Sequence, residues 1–355
     1  MKRIVLCFDG TWNKPGDDGL PEDQRVETNV RRFFESVHSV GQDGIAQLAW
    51  YNPGVGVSWV NKIAGGAFGA FLDEHILDGY RQLVEQYNDG DEIYIVGFSR
   101  GAYAARSLVG MLRNCGLVSP GFGLMKIATA YGIYRTRRDP VDSEVAVAFR
   151  RQFSRELSIK FLGVWDTVGA LGIPLHIANQ IDRDLYEFHD TNLSSIVKNA
   201  FQAIALDEHR QDYDICLWSP EEPADQILEQ RWFCGAHCDV GGGYPSRKLS
   251  DLTLLWMQIK AAKCGLSLDP VSVSADNFLG ESTDSYHAFL GGAYSGRYRV
   301  YVVPAQIPAL GFAQNIPVVG VPSVPTRFNG IAAFRFLNRF TYGNFGDPGQ
   351  FGLER

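Results

Sequence analysis

The stretch Asp91–Gly110, DEIYIVGFSRGAYAARSLVG, decides the fold prediction for this chain. Its apolar run Ile93–Phe98, rich in isoleucine and aromatic residues, is typical of a buried strand. The run ends in Gly-Phe-Ser-Arg-Gly, and the chain continues as a predicted helix from Ala102. We therefore expect a strand, a tight turn centred on Ser99 and a helix.

Two interpretations of Ser99 follow from this placement. As a helix cap, its side chain would accept a hydrogen bond from the first helical turn. As a nucleophile, it would occupy the strained strand-to-helix turn of a G-x-S-x-G motif, which exposes the Oγ atom. Gly97 and Gly101 would then be small so that the neighbouring strand and helix can approach. The clear strand and helix on either side favour the nucleophile.

The rest of the chain alternates between strand and helix patterns. The predicted strands are Lys2–Phe8, Ile45–Tyr51, Leu157–Trp165 and a segment from Ile227 that ends near Ala236; the predicted helices are Thr28–Val40, Phe68–Tyr87 and one capped by Ser250 or Asp251. Such alternation predicts an α/β fold with a mostly parallel central sheet flanked by helices. The segments that follow the strands should meet at one sheet edge, where such folds bind ligands.

Composition restricts the class of protein. Hydrophobic residues at 45% and charged residues at 21% are globular values, and a net charge of −7 argues against a nucleic-acid partner. The N-terminal apolar run is too short for a signal peptide, and prolines interrupt the charge-free run Tyr301–Thr326. We expect no transmembrane segment and a cytoplasmic protein, or one exported without a signal peptide.

Cysteines and glycines give weak signals for a metal or cofactor. Cys234, His237, Cys238 and Asp239 crowd together and raise a zinc hypothesis, but the chain has no second cysteine pair of the spacing typical of zinc sites. The glycine-rich segments GVGVSW and GGAFG complete no phosphate-binding pattern. We expect neither metal nor cofactor.

An acid should follow Ser99 in the chain, because the triad order on an α/β-hydrolase sheet is Ser, Asp or Glu, then His. Asp166, which ends the strand pattern IKFLGVWD, is the best candidate, although a turn or N-cap aspartate is the alternative. Asp207 is a rival, but its surroundings ALDEHR read as helix. Asp239 is another rival, but it is so close in sequence to His237 that we expect it to shape the loop.

The base is predicted to be His237, which follows a strand and opens the glycine-rich stretch Gly241–Gly243. We expect this loop to be mobile enough for the imidazole to swing. His209 and His287 also follow Asp166 and remain competitors. The other histidines, on helices before the serine or in a lid-like segment, are His38, His75, His176 and His189.

Backbone N–H groups near Ser99 are the candidates for an oxyanion hole. The turn directs the N–H of Arg100 toward the developing oxyanion at the start of a helix. Gly10 and Thr11, in the strand-end segment DGTWN, are candidates for the second donor. Asp9 either supports this site or only ties the segment down through hydrogen bonds.

Several blocks together resemble a known family. They are LCFDGTWN, TNV, YNPGVG, GDEIYIVGFSRGAYAARSLVG, GVWDTVG, ALDEHR and WFCGAHCDVGGGYP, in that order between Met1 and Pro245. The chain resembles the α/β-hydrolase family formerly labelled a domain of unknown function, which includes the catalytic domains of phospholipase effectors of bacterial type VI secretion.

The resemblance implies a serine hydrolase in which Ser99 is the nucleophile, Asp166 the acid and His237 the base. It implies carboxylic esters as substrates, with phospholipid acyl chains as the leading class, and it allows peripheral contact with a membrane. A non-catalytic binding or scaffold module on the same fold is the alternative. We expect one domain over residues 1–355, with 266–355 forming a lid or a C-terminal wrap.

Overall fold

The computed structural model describes residues 1–10, 26–54, 68–136, 141–168, 192–208, 210, 213, 215–218, 225–285 and 326–328. Of residues 68–71 and 326–328 it describes the backbone alone. Most of the predicted lid or C-terminal wrap therefore lies outside the described residues.

A seven-stranded sheet forms the centre of the described structure. Its strands are β1 (Arg3–Phe8), β2 (Gln47–Asn52), β3 (Glu92–Phe98), β6 (Ile159–Trp165), β7 (Asn199–Ala205), β8 (Ile227–Phe233) and β9 (Thr326–Phe328). They are ordered β2-β1-β3-β6-β7-β8-β9, and every neighbouring pair is parallel. Two short strands, β4 (Leu117–Val118) and β5 (Ser154–Arg155), form a separate antiparallel pair. The predicted parallel α/β architecture is confirmed.

Helices cover both faces of this sheet. They are α1 (Asn29–Ser36), α2 (Phe68–Gln86), α3 (Arg100–Cys115), α4 (Gly123–Arg135), α5 (Glu144–Phe153), α6 (His237–Gly241) and α7 (Lys248–Lys263), with 3₁₀ turns at Pro120–Phe122 and Ala275–Leu279. Central strands buried on both sides read as continuous apolar runs, which explains why β1 and β3 are visible in the sequence.

Successive residues of each central strand enter two different cores. In β1, Ile4 and Leu6 join the core under α2 and α3, whereas Val5 and Cys7 join the core under α1 and α7. This follows from the two-residue repeat of a strand. The helix after Ser99 therefore lies on one face of the sheet, and α1 and α7 lie on the other.

Helices α1 and α7 have ends that differ from the predicted ones. Helix α1 stops at Ser36 because the next residues pair with the chain after α7: His38 N donates to Ser267 O at 3.1 Å. Helix α7 begins at Lys248 rather than at a Ser250 or Asp251 cap, and Ser250 instead bonds back to Arg247 O from inside the first turn.

The segment ALDEHR was wrongly predicted to be helical. Strand β7 ends at Ala205, so Asp207 and Glu208 follow a strand end directly. The strand sequence NAFQAIA is rich in alanine, the strongest helix former, and its pairing between β6 and β8 overrides that preference. Five strand ends, those of β1, β3, β6, β7 and β8, thus bring functional candidates to one edge of the sheet.

Candidate active site

Ser99 occupies a strained turn between β3 and α3. Its backbone has φ 57° and ψ −121°, a conformation that side-chain-bearing residues rarely adopt. The side chain makes no cap hydrogen bond to α3, so the cap interpretation is wrong. The turn is held from outside by Ser99 N, which donates to Trp165 O at the end of β6 at 3.1 Å.

The two glycines of the G-x-S-x-G turn are required by packing. A Cβ atom on Gly97 would lie 2.6 Å from Gly101 O, and one on Gly101 would overlap Phe8 O and lie 2.6 Å from Asp9 O. The end of β1 therefore presses directly on the turn. Any side chain at either position would push the serine away from the sheet edge.

Asp166 follows β6 in a second strained conformation, with φ 40°. Its carboxylate is fully buried and receives two hydrogen bonds of different kinds. Oδ1 accepts from Ala205 N at the end of β7 at 2.8 Å, and Oδ2 lies 2.6 Å from His237 Nδ1. Within the described residues, Ser99 and Asp166 are the only non-glycine residues with positive φ.

The bond between Asp166 and His237 determines what the histidine can do. With the Nδ1 proton directed at the carboxylate, Nε2 carries the lone pair and is the atom available as a base. Ser99 and His237 are not joined by a hydrogen bond in the part of the chain that the structure describes. The imidazole is instead held beside the turn by Phe98, whose ring centroid lies 4.6 Å from its own.

Burial lowers the pKa of His237, and the hydrogen bond and charge of Asp166 act in the opposite direction. The lowered pKa favours the neutral imidazole, which is the form that acts as a base, over the protonated form.

The stretch after His237 is not the mobile loop that its glycines suggested. His237 begins the short helix α6 (His237–Gly241), and two of the three glycines, Gly241 and Gly242, are packed closely. A Cβ on Gly241 would overlap the Phe98 ring, and one on Gly242 would lie 2.5 Å from Asn29 N. Asn29 also donates to Val240 O at 3.0 Å. The imidazole is thus held in place by its surroundings.

The structure describes two of the three predicted oxyanion donors, Arg100 and Gly10. Arg100 is the first residue of α3, and burial lowers the pKa of its side chain to about 10. Gly10 lies beside the serine: a Cβ on it would be 3.2 Å from Ser99 Cβ. Its N–H donates to Asp9 Oδ1 at 2.7 Å. Thr11 lies outside the described residues.

Asp9 is another buried carboxylate at this edge. Its Oδ2 accepts from Thr28 Oγ1 at 2.7 Å and from Tyr51 OH at 2.5 Å. Thr28 in turn caps α1 by accepting from Arg31 N. Asp9 thus ties the end of β1 to the start of α1 and to the end of β2, as expected if its role is to hold this segment through hydrogen bonds.

The rival acids have other partners. Asp207 Oδ2 accepts from Gly235 N at 2.7 Å, which joins the ends of β7 and β8. Asp239 accepts from Ala236 N at 2.9 Å and from Thr283 N at 2.8 Å, so it shapes the turn around His237. The competing bases His209 and His287 lie outside the described residues, as do His176 and His189.

Sequence reasoning missed the buried pair Glu208 and Arg210, which lies against His237. Arg210 Nη2 is 2.9 Å from Glu208 Oε2, and His237 N donates to the same oxygen at 3.2 Å. The signal was present in ALDEHR, but the helical prediction removed these residues from the sheet edge. A strand prediction for NAFQAIA would have placed them beside Asp166 and His237.

The zinc hypothesis finds no support in the described part of the chain. No group of three or more His, Cys, Asp and Glu side chains there is arranged to hold a metal ion. The candidates point to different partners, since His237 faces Asp166 while Asp239 accepts from Thr283.

Comparison with known proteins identifies the family. The family model described as "T6SS, Phospholipase effector Tle1-like, catalytic domain" matches residues 2–260. The chain belongs to this family. The Tle1-like match ends within α7, so it includes Ser99, Asp166 and His237 and all five strand ends of the site.

This Tle1-like domain is similar to a yeast protein in sequence and aligns more weakly with two solved structures. An uncharacterized protein of Saccharomyces cerevisiae is 30% identical over 243 residues, which are 62% of this chain and 33% of the yeast protein. An uncharacterized protein from Pseudomonas aeruginosa aligns with a TM-score of 0.45 and 19% identity over 83% of this chain and 51% of that one. The Tle1 effector bound to the VgrG spike of the type 6 secretion system aligns with a TM-score of 0.40 and 19% identity over 69% and 51%. The chain thus spans about a third of the yeast relative and about half of each solved chain.

Within the described residues, no helix combines the length and the apolar character needed to cross a membrane.

Proposed function

We propose that this chain hydrolyses acyl esters of lipids, with phospholipids as the leading class, through Ser99, His237 and Asp166. Membership of the Tle1-like phospholipase effector family supports a lipid hydrolase. The observation that carries the assignment of residues is the 2.6 Å contact between Asp166 and His237 at the edge where Ser99 is held in a strained turn. Strained backbone conformations persist only where surrounding contacts hold them, and they cluster at active sites.

The proposed chemistry begins with attack of Ser99 Oγ on the ester carbonyl carbon. The hydroxyl proton passes to His237 Nε2, and Asp166 stabilises the imidazolium that forms. Collapse of the tetrahedral intermediate breaks the ester C–O bond, and His237 gives its proton to the departing alcohol. Water then attacks the acyl-enzyme in the same way, releasing the fatty acid and restoring Ser99.

The N–H of Arg100, at the positive end of α3, is the proposed first donor to the oxyanion. For Gly10 to act as second donor, its 2.7 Å bond to Asp9 Oδ1 would have to open when substrate binds. Thr11 is the alternative second donor in the same segment.

The test compares the native chain with Ser99→Ala on p-nitrophenyl butyrate and on phosphatidylcholine vesicles. We expect the substitution to lower kcat by more than about 10⁴-fold, because the nucleophile is lost. Ser107→Ala is the matched control, since Ser107 is buried further along the same helix. Hydrolysis of the vesicles as well as the soluble ester would identify a phospholipase.

If the native chain hydrolyses neither substrate, a fluorophosphonate probe, which reacts with activated serines, shows whether Ser99 is nevertheless activated. We expect labelling of the native chain and of Ser107→Ala but not of Ser99→Ala. If the native chain is not labelled and hydrolyses neither substrate, the proposal fails and the non-catalytic binding module replaces it.

A further inference from the structure

A buried ion pair follows strand β7 at the edge that carries the proposed triad. Arg210 donates to Glu208 through two parallel bonds, from Nε to Oε1 and from Nη2 to Oε2, both 2.9 Å long. The Glu208 side chain has no exposed surface and that of Arg210 only 6%. Such a two-point contact fixes both side chains in orientation as well as in distance.

Glu208 holds the backbone of His237. Its Oε2 accepts from His237 N at 3.2 Å, and Ser285 Oγ lies 3.1 Å from both of its carboxylate oxygens. Because the accepted N–H belongs to the first residue of α6, this bond sets where the Cα of His237 sits relative to the end of β7.

Arg210 supports the ring of His237 through an aromatic neighbour. Its guanidinium carbon lies 3.6 Å from the centroid of the Tyr213 ring. Tyr213 meets the imidazole edge-on, with ring centroids 5.0 Å apart and planes at 77°. Phe98 packs against the imidazole at 4.6 Å. The histidine is therefore in contact with two aromatic rings, and one of them packs against Arg210.

An ion pair buried in this way is a poor source of stability, because removing two charges from water costs about as much as their attraction returns. A role in orientation explains its location better. We propose that Glu208 and Arg210 are positioning residues that hold the His237 backbone and ring so that Nε2 faces Ser99. This inference rests on the proposed function.

The chain offers a matched control pair in Glu229 and Arg231. These residues have the same spacing in sequence and form an ion pair of 2.6 Å with side chains 13% and 6% exposed, and Arg231 lies over the Trp256 ring at 5.5 Å. Glu229 belongs to the first half of β8 and also binds Lys260 of α7. The Glu229–Arg231 pair therefore reproduces the charges of the Glu208–Arg210 pair without the contacts to His237.

Two double variants separate the charges from the acceptor. Glu208→Leu with Arg210→Met removes both charges and the acceptor for His237 N, while keeping similar volume. Glu208→Gln with Arg210→Met removes the charges but keeps an acceptor oxygen. The control is Glu229→Leu with Arg231→Met. Thermal unfolding and near-ultraviolet circular dichroism establish that each variant is folded.

The first measurement is the low-field proton NMR signal of His237 Nδ1–H, identified by its loss in Asp166→Asn. The second is kcat and KM for p-nitrophenyl butyrate. We expect the Leu/Met variant to shift or broaden the signal and to lower kcat about 10- to 100-fold with little change in KM, as a displaced catalytic group would. The Gln/Met variant should recover part of both, and the control should change neither.

An unchanged signal and an unchanged kcat in a folded Leu/Met variant would overturn the inference, as would an equal loss in the control. Failure of the proposed function is distinguishable, because the NMR signal reports the position of His237 without any turnover. A native chain that shows the signal but hydrolyses no ester refutes the enzyme while the variants still decide the role of the pair. A native chain without the signal counts against the Asp166–His237 bond and against both proposals.

Discussion

Ser99 and Asp166 show how single residues can be forced into unfavourable conformations by their neighbours. Each positive φ costs about 1–3 kcal/mol and persists only where the surroundings over-determine it. For Ser99 the surroundings are Gly97, Gly101 and the end of β1. For Asp166 they are Ala203 O, which accepts from its N–H at 2.7 Å, and Ala205 N, which donates to its carboxylate.

Gly101→Ala tests whether the contact with β1 holds the serine turn. The added Cβ would overlap Phe8 O, so we expect the free energy of unfolding to fall by about 1–3 kcal/mol, as in other overpacked sites. We also expect slower fluorophosphonate labelling of Ser99. Urea unfolding and the labelling rate measure the two effects.

Gly132→Ala is the control for this substitution. Gly132 lies inside α4, and a Cβ there would meet no atom within 4 Å. Alanine should therefore raise the free energy of unfolding by about 0.5–1 kcal/mol. Equal effects at the two glycines would contradict the steric explanation.

At the scale of elements, α2 buries a histidine in its apolar face. His75 is 6% exposed and precedes Ile76, which belongs to the core that α2 shares with α3. Burial, assisted by the positive charge of Arg100, lowers its pKa to about 4. The helix is thus built to hold a neutral imidazole.

This burial predicts a pH-dependent stability. Between its folded pKa of about 4 and its unfolded value of about 6.5, His75 binds more protons in the unfolded chain, so stability falls as pH falls through this range. The loss attributable to His75 should approach about 3 kcal/mol at the lower end. We expect the free energy of unfolding of His75→Leu to fall less than that of the native chain between these pH values, by about this amount.

Urea unfolding at several pH values measures the effect. At about pH 7.5 the imidazole is neutral in both states, so the difference between native and variant there gives the packing contribution alone. Parallel native and variant curves down to about pH 4.5 would show that His75 does not contribute by titration.

At the scale of the whole molecule, the net charge of −7 should influence the choice of lipid surface. If the proposed function holds, we expect faster hydrolysis of zwitterionic phosphatidylcholine vesicles than of vesicles rich in anionic phosphatidylglycerol at low ionic strength. The difference should shrink as salt shortens the screening length from about 10 Å at 0.1 M to about 3 Å at 1 M.

The rate of fatty acid release measures this prediction, and p-nitrophenyl butyrate, an uncharged soluble ester, is the control. Its hydrolysis should depend little on salt. A preference for anionic vesicles at low salt would contradict the prediction and would indicate that a basic face, rather than the net charge, meets the lipid.

The sequence by itself determined the fold class and the positions of Ser99, Asp166 and His237 as candidates. Buried parallel strands have continuous apolar sequences, and the G-x-S-x-G turn requires glycines on steric grounds, so both can be recognised in the sequence. Candidates at strand ends can then be placed at one edge without knowing which strands are neighbours. The roles proposed for these three residues follow from that placement.

Only the tertiary structure decided what surrounds them. The alanines of β7 conceal its strand character in the sequence, and the strand forms because β6 and β8 pair with it. Glu208 and Arg210 therefore reach the site through the order of the strands rather than through a local sequence pattern. Gly241 and Gly242 are closely packed because Phe98 and Asn29 reach them from distant parts of the chain. Such contacts depend on long-range pairing, which no local pattern of residues encodes.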